Sequence, residues 1–167
     1  APEAVRRMLA ALTDEVIRFT QEQSRRIGDQ LVRPGHGFAS ARAGTGIGLS
    51  SDNLVMLSPR AYRQFCVEND ARIGAAFGGT AIHSCGDWAR WIEAVKANPR
   101  LTMVDAAFTP RTDPNYNDAA AFRTLLLAGA DAARAADPAA LIISGAPAVT
   151  GINDGLTAVD DRIYFRG

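Results

Sequence analysis

The stretch Thr80-Ala81-Ile82-His83-Ser84-Cys85-Gly86-Asp87 places an imidazole and a thiol two residues apart at the end of a short apolar run. Residues two apart on a β-strand point to the same face, so His83 and Cys85 can reach one point. Gly86 lets the backbone turn, and Asp87 is predicted as the N-cap of a following helix. Because α/β enzymes keep their chemistry where a strand gives way to a helix, we take this stretch as the candidate site.

The chain on both sides of this stretch alternates between helical and strand patterns. Helices are predicted from Pro2 to about Gly28, from Ser58 to about Gly78, from Asp87 to Ala97 and from Asp118 to Ala136. Strands are predicted over 80–84, 101–105 and 141–144, with a weaker strand or hairpin over 156–165. The pattern indicates parallel βαβ units, and therefore an α/β fold in a single domain covering residues 1–167.

The glycine-rich segment from Pro34 to Asn53 contains Gly44-Thr45-Gly46-Ile47-Gly48 and is predicted as a loop. Its glycine spacing is not that of a dinucleotide-binding loop, and no predicted helix follows it directly, so a nucleotide site is not expected. His36 lies in this segment and is expected to be exposed without a functional role.

Composition excludes several functional classes. The 167 residues carry 18 basic and 18 acidic side chains, so the formal net charge is zero and nucleic acid is not an expected partner. The apolar runs are far shorter than the roughly 20 residues of a membrane span, so we expect a cytoplasmic protein. Cys66 and Cys85 are the two cysteines, which argues against a disulfide framework.

Several motifs in order resemble the uroporphyrinogen decarboxylase superfamily, which includes cobalamin-dependent and coenzyme M methyltransferases. They are Asp52-Asn53-Leu54-Val55-Met56-Leu57-Ser58-Pro59-Arg60, then Phe77-Gly78-Gly79, then Ile82-His83-Ser84-Cys85-Gly86-Asp87. The resemblance extends from about Pro2 to about Pro147. It implies a (β/α)8 TIM barrel, of which a chain this short forms only a part from the second half. A missing barrel segment, or a second copy in a homo-oligomer, is then expected to complete the sheet.

The methyltransferase branch of that superfamily implies a catalytic zinc ion. His83 and Cys85 match the first two ligands of a His-x-Cys motif, but the third ligand, a cysteine far downstream, has no counterpart after Cys85. Zinc in these enzymes binds a substrate thiol as thiolate and promotes attack on a methyl group carried by a corrinoid. The alternative is that Cys85 is a small buried apolar residue and does not bind a metal. Cys66 is predicted on the apolar side of a helix and is a poor substitute ligand.

Two carboxylates are further candidates for catalytic roles. Asp52 precedes the Ser58 helix, where it would bind a pyrrole NH or orient a polar substrate group, or else form an Asx-turn. Asp105 ends an apolar strand, where a carboxylate is more often functional than on a helix surface, although capping of the 109–111 segment would also explain it.

Three functions therefore stay open. The first is zinc-dependent methyl transfer between a corrinoid, carried on a partner protein, and a small thiol or methoxy compound. The second is decarboxylation of a tetrapyrrole substrate, which needs cationic carboxylate clamps and no metal. The third is a barrel-derived binding module that has no catalytic activity.

Overall fold

A computed structural model describes residues 2–28, 46–111, 113–128 and 142–145. Four parallel strands form one sheet in the order β1-β2-β3-β4: β1 (Ile47–Ser50), β2 (Thr80–Ser84), β3 (Leu101–Ala106) and β4 (Ile142–Gly145). Five α-helices accompany them: α1 (Pro2–Ile27), α2 (Pro59–Phe65), α3 (Val67–Phe77), α4 (Ile92–Val95) and α5 (Ala119–Leu127). The predicted α/β class with parallel βαβ connections is thus confirmed.

Local signals set several helix boundaries as predicted. Ser58 is the N-cap of α2, its hydroxyl accepting a hydrogen bond from Ala61 N at 3.1 Å, and Pro59 occupies the first turn. Asp118 caps α5 in the same way through Ala121 N at 2.7 Å. The region between Ser58 and Gly78 nevertheless contains two helices, because Cys66 interrupts the helix as the C-cap of α2 and the N-cap of α3.

Other predicted boundaries are wrong. The helix expected from Asp87 to Ala97 is a 3-10 turn, Ala89–Trp91, followed by the short α4, and Asp87 lies ahead of it as an Asx-type turn to Ala89 N. The helix expected to reach Ala136 ends at Leu127, where Ala128 adopts an extended conformation. The predicted hairpin over 156–165 lies outside the described residues, as does His36.

The glycine-rich segment also holds a strand that its composition concealed. β1 pairs with β2 from Ile47 to Ser50, inside the part predicted as loop. Gly46 has φ of 86°, and a Cβ there would lie 1.9 Å from the Gly79 carbonyl oxygen. Two glycines therefore let two backbone segments meet at the start of the sheet, a tertiary requirement that local composition does not reveal.

The main core lies between the sheet and α2, α4 and α5. Ile82 and Val104 are fully buried on the helical face of the sheet, against Trp88, Trp91 and Phe122. Trp88 contacts Phe122 edge to face, with ring centroids 4.7 Å apart. The two tryptophans are therefore core residues.

Helix α1 packs against α3, and its neighbouring apolar cluster contains Ile17, Ile47, Ile73 and Phe77. Several large apolar residues of α1 lie on its exposed side: Val5, Met8, Leu12, Val16 and Phe19. No helix within the described ranges has both the length and the apolarity required to cross a membrane.

Candidate metal centre

The sheet register brings two of the predicted residues side by side. His83 of β2 pairs with Asp105 of β3, and Ser50 of β1 pairs with His83 on its other side. Since Ile82 and Val104 point to the helices, His83 and Asp105 point to the opposite face of the sheet. Both residues lie near the carboxyl ends of their strands, the edge where parallel sheets commonly bind ligands.

Asp105 contacts the Nδ1 side of the His83 ring. Its Oδ2 is 2.9 Å from His83 Nδ1, and its side chain is only 4% exposed. A carboxylate at this distance accepts the Nδ1–H bond, which leaves the Nε2 lone pair of the imidazole available as a ligand. The predicted catalytic residue Asp105 is therefore placed to orient His83.

Asp52 reaches the same imidazole from the other side. It begins the 3-10 helix Asp52–Met56 directly after β1, and its Oδ1 is 3.3 Å from His83 Nε2. The same oxygen accepts a hydrogen bond from the backbone N–H of Cys85 at 3.2 Å, and Oδ2 accepts one from the Ser50 hydroxyl at 3.1 Å. These contacts fix the Asp52 carboxylate beside the His83-Ser84-Cys85 segment.

Cys85 completes the group. Its Sγ is 3.5 Å from His83 Nε2, and the potential ligand atoms of Asp52, His83 and Cys85 all lie within 4.8 Å of one another. We call these three residues the Asp52–His83–Cys85 cluster. All four residues singled out from the sequence thus meet at one place, with Asp105 in a supporting position.

The turn after Cys85 is held by two residues that the sequence analysis missed. Gly86 has φ of 77°, and its N–H donates to Asp113 Oδ2 at 2.9 Å. Asn117 is fully buried, donates through Nδ2 to the Gly86 carbonyl at 2.9 Å and accepts from Trp88 N through Oδ1 at 2.9 Å. The signal was weak: Asp113 is recognisable in Asp113-Pro114-Asn115 as a turn former, but not as a support for Cys85.

The electrostatics of the cluster differ between its two acidic groups. Partial burial opposes ionisation of Asp52, but hydrogen bonds from the Cys85 thiol and amide and from Ser50 hold its pKa below the usual value. Partial burial and the hydrogen-bonded Asp52 carboxylate raise the pKa of the Cys85 thiol to about 11, with further contributions from Asp113 and Asp105. Among the described residues, the neighbouring carboxylates therefore disfavour a thiolate at this position.

A divalent cation would supply a compensating positive charge, and the donor set fits zinc. With zinc–nitrogen and zinc–oxygen distances of about 2.0–2.1 Å and a zinc–sulfur distance of about 2.3 Å, tetrahedral ligands lie about 3.3 Å apart for nitrogen and oxygen and about 3.6 Å for nitrogen and sulfur. The corresponding separations are 3.3 Å for His83 and Asp52 and 3.5 Å for His83 and Cys85. Asp105 behind His83 reproduces the carboxylate–histidine–zinc arrangement of many zinc proteins.

No protein-family model, curated protein or solved structure matches this chain. Its function has to be inferred from the site itself.

The second cysteine lies away from the Asp52–His83–Cys85 cluster. Cys66, at the junction of α2 and α3, packs against the helical core rather than beside the cluster. Asp52, which follows the neighbouring strand β1, is instead the third potential ligand within the Asp52–His83–Cys85 cluster.

Proposed function

We propose that this chain carries the zinc centre of a methyl-transfer enzyme of the uroporphyrinogen decarboxylase superfamily, in its cobalamin and coenzyme M methyltransferase-like branch. The observation that carries the proposal is the convergence of one nitrogen, one sulfur and one oxygen donor in the Asp52–His83–Cys85 cluster, with Asp105 bonded to the far side of His83. The parallel strands and the site at their carboxyl edge are also what part of a (β/α)8 barrel would contain.

The donor count supports a catalytic centre rather than a closed structural one. Structural zinc sites commonly have four protein ligands, whereas catalytic sites have three and an open position. The Asp52–His83–Cys85 cluster offers three, and the Asp52 side chain is 49% exposed, so the cluster opens to solvent on the Asp52 side. When bound, zinc would hold a substrate thiol as thiolate and increase its reactivity toward a methyl group on a corrinoid.

The protein residues have separable roles in this proposal. Asp105 holds the proton on His83 Nδ1, so that Nε2 faces the cluster as an unprotonated donor. Cys85 must lose its thiol proton to become a ligand, and a bound cation would lower the thiol pKa that the Asp52 carboxylate raises. Asp113 and Asn117 fix the Gly86 turn and therefore the direction of the Cys85 side chain.

The charge of this sheet edge weighs against the decarboxylase alternative. A tetrapyrrole with several carboxylates would need cationic side chains around it. The described charged side chains that raise the pKa of Cys85 are the carboxylates of Asp52, Asp113 and Asp105. This edge of the sheet is suited to a cation more than to a polycarboxylate, and we therefore favour the metal-dependent function over the decarboxylase.

In this proposal the methyl group moves between a corrinoid bound to a partner protein and a small thiol or methoxy compound. The test is transfer of the methyl group from free methylcobalamin to 2-mercaptoethanesulfonate, followed by the change in corrinoid absorbance, with the zinc-loaded chain as catalyst. Cys85→Ser should abolish the transfer, whereas the matched Cys66→Ser should leave it unchanged. Zinc binding without any methyl transfer would overturn the enzyme assignment, and transfer that survives Cys85→Ser would overturn the role of the cluster.

A further inference from the structure

A second concave surface lies among the helices, away from the Asp52–His83–Cys85 cluster. It is a cavity of about 560 Å³ between α2 and the 89–95 helical segment, within the size range of small-ligand sites. We call it the arginine groove. Its lining residues are Pro59, Arg60, Arg63, Gln64, Arg90, Glu93 and Ala94.

The charge of the arginine groove is strongly one-sided. Among the described residues, no carboxylate lies within ion-pairing distance of Arg60, Arg63 or Arg90. The single acidic residue of the lining, Glu93, is already paired with Lys96, whose Nζ lies 2.7 Å from its Oε1. The groove therefore presents three guanidinium groups without local compensation.

The arginines of α1 show that this arrangement is not general in the chain. Arg18 is paired with Glu15, and both Arg25 and Arg26 are paired with Glu22. In that helix each arginine lies three or four residues from its carboxylate, the usual spacing for a surface pair. The arginine groove lacks such pairing although its residues also lie on helices, which leaves their donors available for an external anion.

Two features bring the arginine side chains of the groove together. The Arg90 guanidinium carbon lies 4.0 Å from the centroid of the Trp91 ring, and Trp91 is itself buried with its Nε1 donating to the Leu57 carbonyl at 2.9 Å. Stacking on a fixed aromatic ring restricts the long Arg90 side chain before a ligand arrives. Arg60 and Arg63 are three residues apart and therefore lie on the same side of α2.

We propose that the arginine groove binds a small polyanion carrying two phosphate or carboxylate groups. Arg90 would bind one group through two of its three guanidinium nitrogens, and Arg60 and Arg63 would bind the second. The groove lies on the helical side of the sheet, whereas His83 and Asp105 point to the opposite face, so this inference does not depend on the proposed zinc function.

The experiment is calorimetric titration of the chain with inorganic pyrophosphate and, separately, with citrate, at physiological ionic strength. We expect saturable binding at one site per chain, with the tighter of the two anions identifying phosphate or carboxylate as the preferred group. Arg90→Gln and Arg63→Gln should each weaken binding about tenfold, the effect of losing a charged hydrogen bond. Arg90→Lys keeps the charge but loses the planar fork, so it should weaken binding by less than Arg90→Gln does.

The matched control is Arg18→Gln, which removes the same charge from an exposed, already paired site on α1. It should change the affinity by less than about twofold if binding is local rather than a response to net charge. Absence of saturable binding for both anions would overturn the proposal. An equal loss of affinity in Arg18→Gln and Arg63→Gln would also overturn it, because the loss would then follow net charge and not position. Arg63 is exposed and takes no part in the core, so its substitution should leave the fold intact.

Discussion

The two cysteines of the chain have thiols of similar acidity in different surroundings. Burial and the nearby Asp70 carboxylate raise the pKa of Cys66 to about 11. Partial burial and the Asp52 carboxylate raise the pKa of Cys85 to about the same value. Cys66 lies half-buried between α2 and α3, whereas Cys85 is exposed at the end of β2.

The difference lies in what the neighbouring groups can still bind. Near Cys66, the Tyr62 hydroxyl donates to Asp70 at 2.7 Å, so the polar groups of that cluster satisfy each other. Near Cys85, an imidazole nitrogen and a carboxylate oxygen lie within 4.8 Å of the sulfur, close enough for the three atoms to bind one cation. A bound cation would stabilise the Cys85 thiolate and reverse the effect of the carboxylates. Among the described residues, no comparable group of three potential ligands includes Cys66. Acidity alone therefore does not identify the functional thiol.

The largest expected effect comes from exchanging each sulfur for oxygen. Cys85→Ser should weaken zinc binding more than about 100-fold, because even residues that only support a ligand commonly contribute 10–100-fold. Cys66→Ser should bind zinc as the unmodified chain does. Competition with a chromophoric chelator measures both affinities, and a similar loss in the two variants would remove the distinction between the cysteines.

The second prediction concerns the buried cluster around Cys66. Burial raises the pKa of Asp70 from 3.8 to about 6, although the hydrogen bond from Tyr62 opposes this change. The folded state therefore holds the Asp70 proton more tightly than the unfolded chain, and this residue's contribution to stability falls as pH rises from about 4 to about 6. Asp70→Asn, which keeps an acceptor for Tyr62, should raise the free energy of unfolding above pH 7 by on the order of 2 kcal/mol relative to the unmodified chain.

Urea unfolding of both proteins at pH 4 and pH 8 checks this value. The stability difference should be much smaller at pH 4, where the carboxyl of the unmodified chain is protonated in the folded state. An equal difference at both pH values would show that Asp70 does not titrate as its burial implies.

A third and smaller effect tests the support behind His83. Asp105→Asn leaves an acceptor near Nδ1 but removes the charge, so zinc should bind about tenfold more weakly. Asp70→Asn makes the same chemical change in the other cluster and should leave zinc affinity unaltered. If Asp105→Asn bound zinc like the unmodified chain while remaining folded by circular dichroism, Asp105 would have no positioning role.

The smallest predicted difference is in alkylation of the two thiols. Since their pKa values are similar, exposure should decide the rate in the metal-free chain, and iodoacetamide should modify Cys85 severalfold faster than Cys66. Zinc should slow modification of Cys85 and leave Cys66 unaffected. Peptide mass spectrometry over time measures both rates, and zinc protection of Cys66 would contradict the assignment.

Features encoded by neighbouring residues could be predicted from the sequence. The helix starts at Ser58 and Asp118 and the apolar runs of β2 and β3 depend on short segments, and the structure confirms them. The pair His83 and Cys85 was recognised because strand alternation alone places both side chains on one face.

Features that depend on distant segments could not be predicted in the same way. Asp52 lies 33 residues before Cys85, and its place beside His83 depends on the pairing of β1 with β2. The contact between His83 and Asp105 likewise depends on the register of β2 and β3, which shifts near Thr80 and Ala81. β1 itself was missed because Gly46, directly before the strand, serves a backbone contact with Gly79 that no local pattern reports.

The most direct test of the central claim is zinc K-edge X-ray absorption on the chain, combined with zinc quantification after dialysis against metal-free, non-chelating buffer. We predict one zinc per chain bound by one sulfur and by nitrogen and oxygen ligands that include one imidazole, with the sulfur signal lost in Cys85→Ser. Absence of stoichiometric zinc, or a zinc shell without sulfur in the unmodified chain, would contradict the Asp52–His83–Cys85 metal centre.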